Sequence, residues 1–260
     1  MMLADKTFAL EPGELNLDNE QRQAIEVCCD LDRRVVPVTG PAGSGKTTIL
    51  QHVFRTLYKH GSQVVLCAPT GKAAKRIKEA TGIDACTIHR LLEYPHPGEV
   101  DQNTGKTLIS TDPKRDRINP ILPKVVLADE YNMLSVEVHR NLLDALPHGG
   151  VIRMFGDADQ LQPIETNKRL QAEPSSFLKM LDKFDGIRLK TIHRQAEGSN
   201  IIANGRRIIS GQMPLRKEDF ELKITDEPVQ AVLDFIQDNL TEDIDYGTIY
   251  NQIISPTKVG

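Results

Sequence analysis

Residues 35–48 read VVPVTGPAGSGKTT, an apolar run that breaks into a glycine-rich turn and then into helix-forming sequence. Gly40, Gly45, Lys46 and Thr47 fit G-x-x-x-x-G-K-[ST], the phosphate-binding P-loop, in the strand-then-helix setting that the motif requires. Glycines let the backbone wrap closely around phosphate oxygens, so that successive N–H groups and the positive end of the following helix face the anion. The expected nucleotide contacts are Gly40, Gly43, Ser44, Gly45, Lys46, Thr47 and Thr48. Lys46 would reach the β- and γ-phosphates, and the Thr47 hydroxyl would ligate Mg²⁺. A turn that only joins a strand to a helix is the alternative, and this eight-residue pattern is too demanding for it.

The 260-residue chain has room for one large or two modest domains and an ordinary globular composition. No apolar stretch approaches the roughly 20 residues needed to cross a membrane. The start, MMLADKTFALEPGEL, lacks the charged-then-apolar order of a secretion signal, so a cytoplasmic protein is expected. Cys28, Cys29, Cys67 and Cys86 show no C-x-x-C spacing, which argues against zinc and against a disulfide framework. A formal charge of −4 is not the strongly basic signature of a nucleic-acid binder, although local grooves can be basic on an acidic protein.

Residues 15–30 suit an amphipathic helix, with Asp18 as N-cap, Gln21 completing a capping box, and Ala24, Ile25, Cys28 and Cys29 as the apolar stripe. Pro37 is anomalous inside the P-loop strand, because proline removes a ladder hydrogen bond. The helix after Lys46 ends near Lys59-His60-Gly61. A strand at 63–68 then stops at Pro69-Thr70-Gly71, and helical spacing returns over 72–80. Lys72, Lys75, Arg76 and Lys78 crowd this second helix. Such a run ordinarily forms a solvated face, but it starts at a strand's carboxyl end, the edge where open α/β sheets bind ligands.

The polar stretch 93–123 is too long for a structureless loop and suggests a small inserted β-hairpin turning near Asn103-Thr104-Gly105-Lys106. The strand at 125–128 stops at Asp129-Glu130, the place where P-loop ATPases hold Mg²⁺ with an aspartate and polarise the attacking water with a glutamate. A further strand at 151–155 ends in Gly156-Asp157-Ala158-Asp159-Gln160. There Gln160 can act as an uncharged sensor of the γ-phosphate. Helices are expected near 135–146, 177–184, 199–210 and 229–239, the last with Val232, Leu233 and Ile236 inward, and a short strand near 187–189. Strand and helix in this rhythm predict an α/β protein with a parallel sheet covered by helices on both faces.

Together these stretches resemble the superfamily 1 DNA helicases of the RecD and Dda type, P-loop NTPases associated with 5′ to 3′ movement on single strands. LNLDNEQRQAI looks like the Q-motif, GPAGSGKTT motif I, APTGKAAKRI motif Ia, TIHRLL motif Ib, LADEYNM motif II, GDADQLQPI motif III and LKTIHRQAEGSNII motif IV. The resemblance implies a first RecA-like domain over 1–186, with 93–123 as the pin that splits the duplex, and an incomplete second RecA-like domain over 187–260. It implies that Gln21 reads the adenine edge and that Lys46, Thr47, Asp129 and Glu130 bind and hydrolyse MgATP, with Thr47 and Asp129 on the metal. Gln160 would couple the γ-phosphate to domain movement, and Arg194 would be an arginine finger. Pro69, Thr70, Gly71, Lys72, Thr87 and His89 would grip single-stranded DNA. Taken alone, His89 is more often a core or capping histidine and Arg194 a surface charge; the position of Arg194 in the resembling motif reverses the reading there.

Three departures stand out. Asn132 replaces the usual serine after D-E-x, Gln162 replaces the first proline of Q-L-P-P, and the chain ends at SPTKVG, before motifs V and VI, inside what the resemblance makes the second domain. The expected protein is a monomer acting on single-stranded DNA and duplex junctions. Two rivals remain: a P-loop kinase, which would carry an arginine-rich lid and lack the acidic pair, and a DNA-dependent ATPase that does not unwind.

Overall fold

The computed structural model describes residues 17–95, 112–165, 168–191, 200–216 and 219–239. The chain divides into two compact units, Met1–Glu197 and Gly198–Gly260.

The first unit is a six-stranded sheet: β1 (Val35–Thr39), β2 (Val64–Ala68), β3 (Ala85–Thr87), β4 (Val125–Ala128), β5 (Val151–Gly156) and β6 (Ile187–Arg188), in the order β3-β2-β4-β5-β1-β6. Every pairing is parallel. One face packs on α1 (Asn19–Cys29), α2 (Lys46–Lys59) and α3 (Gly71–Thr81), through Val36, Val38, Leu66, Leu127 and Phe155. The other packs on α4 (Ile88–Leu91), α5 (Val136–Asp144) and α7 (Ser176–Lys183), through Cys67, Val126, Ile152 and Met154. A short α6 (Lys168–Gln171) precedes α7. The alternation along β5 is period two, as a strand dictates.

Pro37 is accommodated by strand parity. Arg34 accepts the N–H of Ile152, and Gly40 donates to Gly156, so even-numbered residues of β1 face β5. Thr39 accepts the N–H of Leu189, so odd-numbered residues face β6. Pairing with β6 begins at Val38↔Ile187, one residue past Pro37, so its missing N–H falls where no ladder bond is made.

One charged residue lies inside the apolar strand β5. Arg153 is fully buried, and its guanidinium donates to the carbonyls of Cys28 (2.6 Å), Asp30 (2.7 Å), Arg33 (2.8 Å) and Ile152 (3.2 Å). Two of these, Cys28 and Asp30, are at the end of α1, where carbonyls lack intrahelical partners. The cation therefore closes α1 against the sheet.

Two expectations are corrected. The strand at Ile187–Arg188 pairs with β1, and Leu189 packs into the core beside it, so the first sheet continues past the expected boundary at residue 186. In the second unit, α8 (Asn200–Ile209) is tied to the following loop by Asn204, which donates to the Leu215 carbonyl (2.7 Å) and accepts the Leu215 N–H (2.8 Å). Its other helix, α9 (Pro228–Asn239), exposes Val232 (40%) and Leu233 (47%) instead of turning them inward, because no described element of this unit covers that stripe. Ile236 is not among the residues whose side chains are described. The expected hairpin turn at 103–106 also lies outside the described residues.

Candidate nucleotide site and strand-edge surface

Strand order brings the separate polar clusters together. β5 lies between β1 and β4, so the P-loop after β1, the acidic pair after β4 and the turn after β5 emerge side by side at the carboxyl edge of the sheet, where open α/β sheets bind ligands. A cleft of about 630 Å³ opens there. Gly43, Gly45, Lys46, Thr47 and Thr48 line it from the loop, Asp129 and Glu130 from the end of β4, and Gln160 from beyond β5.

The loop is built for an anion. Gly43 (φ 86°) and Gly45 (φ 84°) adopt the left-handed conformation that glycine permits. Gly40 has no room for a side chain: a Cβ would lie 2.6 Å from Ser44 Oγ and 2.9 Å from Leu189 Cβ. Side chains of Asp18, Thr70, Thr87, Ser135 and Ser175 cap α1, α3, α4, α5 and α7, whereas Gly45 leaves the first-turn N–H groups of α2 without a side-chain acceptor. Ser44 Oγ is buried and unpartnered among the described residues. Lys46 Nζ donates to the carbonyls of Gly40 and of Pro41, the latter at 3.0 Å. Burial lowers the Lys46 pKa, opposed by Asp157, Asp129 and Glu130.

Burial drives Asp129 the other way, to about 6, with Glu130 adding to the rise and both the Glu130 N–H and Lys46 opposing it. The Glu130 N–H donates to Asp129 Oδ1 at 2.9 Å. Glu130 has φ 51°, an uncommon conformation for a residue with a side chain and one that collects at functional sites. Asp129 and Thr47 offer hard oxygen donors on the two walls of one cleft. Among the described residues no cluster of three or more His, Cys, Asp or Glu could hold a metal. That donor set suits Mg²⁺, which binds through one or two protein oxygens plus waters and phosphate.

The turn bearing Gln160 is held at each amide. Asp157 N–H donates to Asn132 Oδ1 (3.1 Å), Ala158 N–H to Thr39 Oγ1 (2.9 Å), Asp159 N–H to Asp157 Oδ1 (3.1 Å), and Gln160 N–H to the Asp157 carbonyl (3.3 Å). Gln160 Nε2 donates to Asp157 Oδ2 at 3.2 Å. Thr39 and Asn132 are the members that sequence reasoning missed as supports. Their signal was their place, one ending β1 and the other two residues past the acidic pair.

Gln21 sits outside the cleft lining. It is 4% exposed, its Oε1 accepts the Asp18 N–H (3.2 Å), and its Nε2 faces the Ser44 carbonyl at 3.5 Å. Here it completes the capping box and braces the loop from behind. Arg194 lies outside the described residues.

The Pro69-Thr70-Gly71-Lys72 turn and Thr87 converge independently. β2 and β3 pair with Ala68 opposite Thr87, so both strands end together. Thr70 accepts the Ala73 N–H (3.2 Å) and Thr87 the Arg90 N–H (3.1 Å), each capping the helix that follows. Lys72 and His89 are exposed, and the His89 ring lies 4.8 Å from that of Tyr94.

A parallel sheet with a glycine loop at an uncapped helix, and an acidic pair two strands away, defines a P-loop nucleoside triphosphatase fold. A family model described as "AAA domain" matches residues 16–230. The ATP-dependent RecD2 DNA helicase of Deinococcus radiodurans is 32% identical over 202 residues, 76% of this chain and 24% of that protein. The ATP-dependent DNA helicase dda of enterobacteria phage T4 is 30% identical over 159 residues, 60% of this chain and 33% of that protein. Among solved structures, the Pif1 helicase from Candida albicans superposes with a TM-score of 0.50 at 23% identity, over 81% of this chain and 49% of that one, a likeness of fold. The chain belongs to the AAA domain family. It spans about a quarter to a third of the length of these two relatives.

Proposed function

We propose that this chain is the motor portion of an ATP-dependent DNA helicase, which hydrolyses the β,γ-anhydride of ATP to move along single-stranded DNA and part duplex junctions. The observation that carries the proposal is the single cleft formed by the uncapped start of α2, Lys46, the Asp129-Glu130 pair and Gln160. Loop amides and Lys46 hold the phosphates, and Thr47 and Asp129 hold Mg²⁺. The metal supplies charge neutralisation at the phosphate oxygens. Glu130 orients the attacking water and accepts its proton, Gln160 senses the γ-phosphate from its braced turn, and Arg194 reaches the transition state as a finger. For Gln21 to read the adenine edge, its amide would exchange its bonds to Asp18 and Ser44 for the base.

Single-stranded DNA lies across the neighbouring strand ends, on Pro69, Thr70, Gly71, Lys72, Thr87 and His89. Lys72 and backbone amides would give a grip independent of sequence. Within the 93–123 insertion, Arg115 pairs with Glu93 at 2.5 Å and its N–H donates to the Leu92 carbonyl, so the chain between them leaves and returns at one place, which supports a pin. The second unit is the opening of a second RecA-like domain, and the protein works as a cytoplasmic monomer.

The test is steady-state ATP hydrolysis with and without oligo-dT, beside Lys46→Ala. Stimulation that vanishes in the variant is expected. Hydrolysis unaffected by Lys46→Ala would overturn the proposal.

A further inference from the structure

The helix α3 carries four cations, and three of them face away from the nucleotide cleft. Lys75 and Lys78 pair outward with Glu79 (3.6 Å) and Asp84 (2.7 Å), and Lys72 stands at the strand edge. Arg76 does something else. With Ala73, Ile77 and Ala80 it occupies one side of the helix, at i, i+3, i+4 and i+7, and this stripe walls the cleft that Lys46, Asp129 and Glu130 also line. No carboxylate among the described residues pairs with its guanidinium.

Charge gives this placement a consequence. Two carboxylates, Asp129 and Glu130, line the cleft, and Lys46 is the only other cation on its wall among the described residues. Apart from the Mg²⁺ that Thr47 and Asp129 would hold, Arg76 brings the side chains of the wall from a net negative charge to balance. Lys46 is moreover engaged with the carbonyls of its own loop, whereas Arg76 approaches from a separate helix. A guanidinium presents a planar fork of donors that matches phosphate oxygens.

We propose that Arg76 is a specificity-determining residue of the cleft: its guanidinium binds the outermost phosphate of a nucleoside triphosphate and makes the site prefer triphosphate over diphosphate. This rests on the nucleotide-hydrolase reading above.

The experiment titrates the full chain with N-methylanthraniloyl-ATP and N-methylanthraniloyl-ADP in Mg²⁺ buffer, comparing the wild type with Arg76→Ala, Arg76→Lys and Lys46→Ala. Arg76→Ala is expected to weaken the ATP analogue roughly tenfold or more while leaving the ADP analogue within about twofold. Arg76→Lys should recover part of the loss, because it keeps the charge and loses the fork. Lys46→Ala should weaken both analogues. An unchanged ATP-to-ADP preference in Arg76→Ala overturns the proposal, as does weakened oligo-dT binding with intact nucleotide affinities, which would assign Arg76 to DNA. A wild type that binds neither analogue overturns the nucleotide reading itself, and this proposal with it. Arg76 is exposed, so its variants should melt with the wild type, and a matching melt excludes misfolding as the cause.

Discussion

The side-chain oxygen of Asn132 accepts the backbone N–H of Asp157 at 3.1 Å, tying the 3₁₀ turn at Tyr131–Met133, just after the acidic pair, to the turn that presents Gln160. Asn132 is 4% exposed, and its Nδ2 has no hydrogen-bond partner among the described residues. Asn132→Ala would bury an unsatisfied N–H at Asp157, a cost of about 1–3 kcal/mol. The expected result is a melting temperature lower by several degrees and slower ATP turnover, read by thermal melting and steady-state kinetics. A variant that melts with the wild type would show the bond to be dispensable.

A second pair predicts pH dependence. His139 is buried beside Tyr131, with Tyr131 Oη 2.9 Å from His139 Nδ1, and burial lowers its pKa to about 4. In the unfolded chain a histidine titrates near 6.5. Between those values the unfolded state takes up a proton that the folded state refuses, so stability falls as pH drops from about 6.5 to about 4, by a total of about 3 kcal/mol. Above pH 6.5 this residue contributes no slope. Urea unfolding across that range should show a decline that His139→Gln flattens. An equal slope in the variant would remove His139 as its source.

At the strand edge, Lys72 is exposed, and the proposed DNA path crosses it. Lys72→Ala should weaken oligo-dT binding and reduce the dependence of log K on log salt by about 0.7, the value of one phosphate contact on a single strand. Fluorescence anisotropy of labelled oligo-dT over a salt series reads both. Weaker binding without a change in slope would mean that Lys72 touches no phosphate.

Much of this architecture was legible locally. Asp18 and Gln21 announced the start of α1 because a capping box is short-range chemistry, and the P-loop, Asp129-Glu130 and Gln160 each ended an apolar run. What stayed hidden depends on distant partners. Nothing near Arg153 reveals that its guanidinium closes α1 more than a hundred residues earlier in the chain, and Pro37 made sense only once β6 was seen to start one residue past it. β3 has three residues, too few for a periodic pattern. Arg76 read as one charge in a solvated crowd, because helical spacing sorts faces without saying what lies opposite. Val232 and Leu233 show the converse: an amphipathic stripe states what would be buried, and the described fold leaves it open.

Hydrolysis of ATP in the cleft, as distinct from binding alone, is tested most directly at Glu130. Glu130→Gln keeps the size of the side chain at the strained position and removes the base. MgATP binding and turnover measured on one preparation of this variant separate the two roles. Binding close to that of the wild type is expected, with turnover lower by roughly 10²- to 10⁴-fold. Wild-type turnover in Glu130→Gln would contradict that expectation.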